Sequence, residues 1–333
     1  MPTRPLRRKS LLLVGCGDVG QRIGRLLHRR LRVIGTVRTE STALALRQAG
    51  IKPVMIDLDQ PRQLARAAAF AAWTIYLAPP PATGTADSRL KNWLEAVGAH
   101  RARQARLSRF GDSRFVLAKS NRPGAPHAKA ATPRLVYLST TGVYGDQGGA
   151  WIDETTPARP TTARAIRRLD AEQQILEIIA RRRSGQSVAR STRLRVPGIY
   201  AGDRLPEQRL RSGLPVAEAA GDVYTNHIHA DDLARLSFLA LLRGRSGRVF
   251  NTIDASDLTI GQWLDQVADA LKLPRPPRVP REELARHVNP MMLSFLNESR
   301  RIDGRRALRE LRSRLQWPTV ASFLASLSQD TED

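Results

Sequence analysis

A single cysteine, Cys16, leaves this 333-residue chain unable to close an internal disulfide. It sits in a glycine-rich turn, where a small side chain fits, and is read as structural. Lysine is almost as scarce. Only Lys9, Lys52, Lys91, Lys119, Lys129 and Lys272 occur, against 48 arginines. Aromatic residues make up 5% of the chain, too few for the interleaved stacking rings of single-strand nucleic-acid binders. No run of 18 apolar residues exists, so no membrane-spanning helix is expected. The basic stretch from Met1 to Ser10 precedes an apolar run of only four residues, Leu11 to Val14, which then breaks into glycines. That is too short for an export signal, and a cytoplasmic location is expected.

What the chain has in excess is positive charge: 54 basic against 31 acidic residues, a formal net charge of +23. Such a field attracts phosphorylated ligands and polyanions. The arginines are spread over the whole sequence instead of gathered in one block, which argues against nucleic acid as the main partner. The length suits two domains or one large α/β unit.

The most informative stretch is Leu11-Leu-Leu-Val14 followed by Gly15-x-Gly17-x-x-Gly20, with Ile23, Leu26 and Leu27 then recurring at helical spacing. Strand, glycine turn and helix together present backbone N–H groups and a helix N-terminus to a diphosphate. Gly15 permits the tight turn, Gly17 clears space for phosphate, and Gly20 lets helix and strand pack closely. Gly15, Cys16, Gly17, Asp18, Val19 and Gly20 are therefore candidate dinucleotide-binding residues. Further short apolar runs at Arg32–Val37, Pro53–Ile56, Thr74–Leu77, Leu135–Leu138, Thr192–Val196 and Val249–Asn251 alternate with helical patterns. The helical patterns are Val19–His28, Ser41–Ala49, Pro61–Ala69, Ser88–His100 and Thr162–Arg182. This alternation predicts an α/β fold, a doubly wound parallel sheet. Two stretches break the rhythm. Residues 101–133 read as a mobile basic insertion, and Pro274 to Pro280 as an extended connector.

The second strand ends at Arg38, where NAD-binding units of this type carry an acidic residue for the ribose hydroxyls. A guanidinium suits a 2′-phosphate, so NADP is expected, with NAD left open by nearby Glu40. Asp57, with Leu58 beside it, stands where a carboxylate could meet an adenine amine; a ligand-free surface carboxylate is the alternative. His227 and His229 alternate like strand residues with no further ligand cluster, so no metal site is expected. Asp231-Asp232 is expected to cap the helix after them.

Four later stretches join the glycine turn in a recognisable order: Val136-Tyr-Leu-Ser-Thr140-Thr-Gly-Val-Tyr144-Gly145, Asp153-Glu-Thr-Thr-Pro157, Arg193-Leu-Arg-Val-Pro-Gly198-Ile-Tyr200 and His227-Ile-His229-Ala-Asp231-Asp232. Together they resemble the extended short-chain dehydrogenase/reductases, the NAD(P)-dependent epimerase/dehydratase family, over about Leu11 to Leu324. The resemblance implies a Rossmann sheet at 8–202 and 223–254 and a small C-terminal substrate lobe at 203–222 and 255–330. It further implies a nicotinamide dinucleotide, a small polar substrate, and a chain passing the cofactor at Ala78 and Pro79. Thr140 takes the family's hydroxyl position. Two departures point to an atypical branch. The first glycine is shifted by one, and the family's Tyr-x-x-x-Lys is replaced by Arg164 and Arg168. An arginine stays charged up to at least pH ~12 and can hardly act as acid or base near neutrality. Arg168 could still hold the nicotinamide ribose, and the pair could bind a carboxylate or phosphate. The alternative is two solvated helix arginines, with Arg168 pairing Glu172 one turn on. By function, the chain reads as an oxidoreductase or epimerase-like enzyme, or as a non-catalytic NAD(P)-binding sensor.

Overall fold

The computed structural model describes residues 9–109, 133–181, 190–288, 293 and 296–329. Seven short strands form one sheet: β1 (Ser10–Val14), β2 (Arg32–Val37), β3 (Lys52–Met55), β4 (Trp73–Tyr76), β5 (Arg134–Thr140), β6 (Arg190–Val196) and β7 (Val249–Asn251). Their order is β3-β2-β1-β4-β5-β6-β7, and every pairing is parallel. These strands fall within one or two residues of most of the apolar runs, because the central strands are buried on both faces and the edge strand β3 is partly exposed. Leu11, Leu12, Leu13 and Val14 are all fully buried. Alternation then sends them to opposite sides. Leu11 and Leu13 pack with Ile23, Leu46 and Leu233, whereas Leu12 and Val14 pack with Leu64, Leu90 and Trp93. Each such side chain contributes roughly 1.5–3 kcal/mol by leaving water.

The crossover helices supply those partners. α1 (Asp18–Leu27) and α2 (Glu40–Gln48) cover one face, and α3 (Pro61–Ala68), α4 (Ser88–Arg109) and α5 (Ala163–Arg181) cover the other. α6 (Ala230–Arg243) returns to the first face through Leu233, Leu236 and Leu241. α4 runs nine residues beyond the expected end at His100, so the first part of the expected insertion is helix. Residues 110–132 lie outside the described residues, and with them the rest of that expectation. Among the described residues no helix is long and apolar enough to cross a membrane.

Beyond β6 the chain builds a second apolar cluster from Tyr200, Leu210, Val216, Leu264, Val267, Val320, Phe323 and Leu324. The last third of the chain does not serve this cluster alone. Helix Arg305–Leu311 places Ala307 and Leu311 in the core under the sheet. The short strand Arg301–Ile302 pairs with Trp151–Ile152.

The two clusters meet at the strand His227–His229, which pairs in parallel with Gly198–Tyr200. His229, not Asp231 or Asp232, caps α6: its Nδ1 accepts the Asp231 N–H at 3.2 Å. Asp232 is buried and accepts from the Gln316 and Trp317 amides, tying the C-terminal segment to α6. His227 stacks on Trp263 with ring centroids 4.6 Å apart, and burial pushes its pKa down to about 3. An unfolded chain takes up a proton below about pH 6.5 that folded His227 refuses. The stability due to neutral His227 is therefore complete above pH 6.5 and is lost as pH falls towards 3. Thermal midpoints measured between pH 7 and pH 4 should show a shallower acid decline in His227→Gln than in the wild type. Parallel declines would show that another group carries the acid sensitivity.

Candidate functional site

Strand order reverses between β1 and β4, and the C-terminal ends of these two strands frame a crevice. Gly15 leaves β1 at φ +79°, a conformation that disfavours a side chain, and a Cβ there would lie 2.6 Å from the Ala78 Cα. The first glycine thus lets two backbones touch. Its N–H donates to the Thr36 Oγ1 at 2.8 Å, and the Cys16 N–H donates to the Thr36 carbonyl at 3.0 Å. Cys16 fills the space under the turn, and its Sγ lies 2.9 Å from where a Cβ on Gly20 would be. Burial pushes this thiol up to about 12, so it is a plug and not a nucleophile at neutral pH.

Gly17 is the N-cap of α1, and no side chain caps the helix there. A Cβ on Gly17 would meet nothing within 4 Å. The helix therefore presents N–H groups without a side-chain acceptor beside open space, which fits a diphosphate. Asp18 places a carboxylate in this first turn, and two arginines compensate it. Arg22 pairs with Asp18 at 3.1 Å, and Arg204 does so at 2.8 Å. Arg22 also reaches Asp203 at 2.5 Å and Asp231 at 3.1 Å, pinning the segment after β6 onto α1. Sequence reasoning missed this network. Apart from the one-turn Asp18–Arg22 spacing, its members lie up to 209 positions apart with no local pattern to mark them.

The crevice opens into a cavity of about 250 Å³ lined by Gly15, Gly17, Thr140, Arg164, Arg168 and Arg204, among others. Thr140 ends β5, and its Oγ1 accepts the Gly142 N–H at 3.2 Å, leaving the hydroxyl proton available. Arg168 turns inward: its Nη1 donates to the Leu138 carbonyl at 2.9 Å, the Tyr137 hydroxyl at 3.0 Å and the Ala78 carbonyl at 3.2 Å. The alternative Arg168–Glu172 pair is not formed. Glu172 is buried and held by Arg195 at 2.8 Å and by Arg193 at 3.6 Å. Leaving those two arginines without Glu172 would cost about 3–5 kcal/mol, which explains why Glu172 faces β6. Arg164 lies one turn before Arg168 on the cavity wall. Desolvation, then the Arg168 charge, lowers its pKa from the ordinary arginine value.

Among the described residues lining the cavity there is no tyrosine, lysine or histidine. Tyr144 is buried elsewhere, donating to the Asn251 Oδ1 at 2.8 Å beneath the Arg195 guanidinium. Val19 and Gly20 join the cavity lining, as expected of the turn, and Cys16 sits behind it.

Around the crevice rim, Arg38 follows β2 and is exposed. Asp57 follows β3, with its Oδ1 accepting the Asp59 N–H at 3.0 Å, and Leu58 is buried. Ala78 is buried against Gly15, and the carbonyl of Pro79 accepts from Arg89 at 3.2 Å. Arg89 is a second residue that sequence reasoning missed. It pairs with Asp59 at 2.6 Å, and this hydrogen bond, with a further contribution from Arg38, holds the Asp59 carboxyl below its usual range. The candidate residues thus fall into two groups along the strand ends, the cavity set and the Arg38–Asp57–Pro79 set.

A search of curated proteins finds no match. Among solved structures, a conserved protein of Silicibacter pomeroyi, described as functionally unknown, is 27% identical, with 97% of this chain and 99% of that chain covered at a TM-score of 0.71. A Thermotoga maritima UDP-glucose 4-epimerase solved with UDP-glucose is 16% identical, covering 97% and 100% of the two chains at a TM-score of 0.68. A Bacillus cereus UDP-glucuronic acid 4-epimerase in complex with NAD is 13% identical, covering 96% and 99% at 0.64. The last two share the fold. The model of the NAD dependent epimerase/dehydratase family matches residues 12–252, most of the chain from the glycine-turn strand to the last sheet strand. This chain belongs to that family.

Proposed function

We propose that the protein binds a nicotinamide dinucleotide, NADP in preference to NAD, and acts on a small polar anionic substrate without the family's tyrosine acid. The observation that carries this reading is one continuous cavity. It joins the uncapped start of α1 to Thr140, Arg164 and Arg168. The amides of Asp18 to Gly20 at the start of α1 would hold the diphosphate, Gly15 to Gly17 giving it room, and Arg38 would hold the 2′-phosphate. Asp57, Leu58, Ala78 and Pro79 would form the wall for the adenine end. The bound cofactor supplies hydride transfer. The chain's own residues do the rest: the Thr140 hydroxyl holds a substrate oxygen, and the Arg164–Arg168 pair orients an anionic group. A guanidinium does not release its proton near neutrality, so the proton must come from water or from the substrate itself.

A second reading, a non-catalytic dinucleotide sensor, is favoured by the anchoring of Arg168. Its Nη1 is spent on three strand-end acceptors, which suits a rigid wall as well as a reacting centre. Nicotinamide absorbance followed across sugar nucleotides, aldehydes and ketones separates the two. The enzyme reading expects turnover that drops by at least about 100-fold in Thr140→Ala. Turnover indifferent to Thr140 would overturn the site assignment, and dinucleotide binding with no turnover on any substrate would favour the sensor.

Two binding results are expected beside it. NADP(H) should raise the thermal midpoint more than NAD(H) does, and Arg38→Ala should remove the difference. Equal shifts in the wild type would contradict the role given to Arg38. Gly17→Ala should fold with an unchanged midpoint, because its methyl meets nothing within 4 Å, yet it should bind the dinucleotide more weakly. The expected loss is about tenfold or more. Undiminished binding by that variant would mean that phosphate does not approach Gly17.

A further inference from the structure

The arginines are dispersed in sequence, but the fold gathers many of them in space. In a parallel sheet every helix-to-strand connection returns to the same end, so basic residues 20 or 50 positions apart become neighbours. That end, opposite the glycine turn, carries a cation at or just before nearly every strand. Lys9 precedes β1, Arg29 and Arg30 precede Arg32 at the start of β2, Lys52 starts β3, Arg134 starts β5, Arg190 starts β6, and Arg245 precedes β7. The register makes the adjacency explicit: Ser10 lies beside Arg32, Trp73 beside Arg134, and Arg134 beside Arg190. Lys9 and Arg134 both approach the Trp73 ring, at 5.0 and 5.6 Å from its centroid.

One carboxylate approaches this end from outside the connections: Glu310 pairs with Arg248 at 2.5 Å and also attracts Arg245. The connections 28–31, 49–51, 69–72 and 244–248 contain neither aspartate nor glutamate. Among the described residues none of the eight cations forms an ion pair. Arg134 and Arg190 instead donate to carbonyls at the end of α6, namely those of Leu241, Leu242 and Gly244. Those contacts fix the guanidinium positions without cancelling their charge. At the opposite end several arginines are matched, as in Arg22 with Asp18, Asp203 and Asp231, Arg89 with Asp59, and Arg306 with Glu154.

We propose that this basic end is a docking surface for the phosphate backbone of duplex nucleic acid, read without regard to sequence. Seven strands about 4.8 Å apart make an edge of about 29 Å, long enough to face several phosphates at once. The charge is mainly guanidinium, which matches phosphate in geometry. Backbone binding of a duplex needs no stacking rings, so the low aromatic content does not oppose it. A membrane surface fits less well. None of the exposed large apolar side chains among the described residues lies in these connections, so nothing there inserts into a bilayer.

The test is fluorescence anisotropy of the full chain with a labelled random-sequence duplex of about 24 base pairs, titrated at several salt concentrations. If about five phosphates are neutralised, affinity should fall roughly 500-fold between 50 and 200 mM salt. The triple variant Arg29→Glu, Arg30→Glu, Arg32→Glu should weaken binding at least about 30-fold and flatten the salt slope by about three. A control with the same change in net charge away from this end (Arg62→Glu, Arg275→Glu, Arg286→Glu) should retain most of the affinity. If the first triple variant fails to fold, Lys9→Glu with Arg245→Glu, from opposite parts of the same edge, should show the loss. Any of three results overturns the proposal: no binding by the wild type at low salt, equal weakening by both triple variants, or binding to phosphatidylglycerol vesicles but not to the duplex. Dinucleotide binding is unaffected by any of these outcomes.

Discussion

The approach of the Gly15 backbone to Ala78 governs the rest of the site. Only a residue without a Cβ can leave β1 at positive φ and pass this close to the chain leaving β4. That contact brings the start of α1 to the point where strand order reverses, with its N–H groups facing the crevice instead of the core. Cys16 beneath the turn and Gly20 against it hold the geometry from below. A methyl group at Gly15 would force apart the two strands that every other part of the site is built around.

From that point the cavity grows outward along the strand ends, and its chemistry is set by arginine. α5 presents Arg164 and Arg168 to the cavity, the two positions to which the sequence resemblance assigns the family's tyrosine and lysine. Arg168 ties itself to the ends of β4 and β5, so the wall it forms is rigid. The Asp18 carboxylate, which would repel a diphosphate, is already matched by Arg22 and Arg204. The result is a crevice whose electrostatics favour anions along its length but which, among the described lining residues, offers no neutral proton donor beyond the Ser139 and Thr140 hydroxyls. Positioning is well provided for, and acid–base chemistry is not.

Much of this was legible in the chain itself, for definable reasons. Buried parallel strands are near-continuous apolar runs, so β1, β2, β4 and β5 stand out, whereas the edge strand β3 and the arginine-bearing β6 are weaker signals; the glycine turn has a spacing dictated by backbone contact. That Arg164 and Arg168 share one face of α5 could be read from their spacing of four, and both line the cavity. Three things could not. Whether Arg168 faced Glu172 or the sheet depended on Arg193 and Arg195, which arrive from β6. The Arg22 and Arg89 pairings join segments with no shared local pattern. The segment after β6 relies on two-residue strands such as Val216–Ala217 and Tyr224–Thr225, too short to show a period. The distribution of charge is the sharpest case, because only the topology turns an even spread of arginine into one basic end.

Hydrogen–deuterium exchange with and without NADPH tests the central claim most directly, because it reads the backbone amides on which the site rests. The account predicts that added dinucleotide slows exchange at Asp18 to Gly20 and at Leu77 and Ala78. The connections at the opposite end, such as residues 28–31, should stay unchanged. Exchange at the glycine turn that is indifferent to the dinucleotide would contradict it.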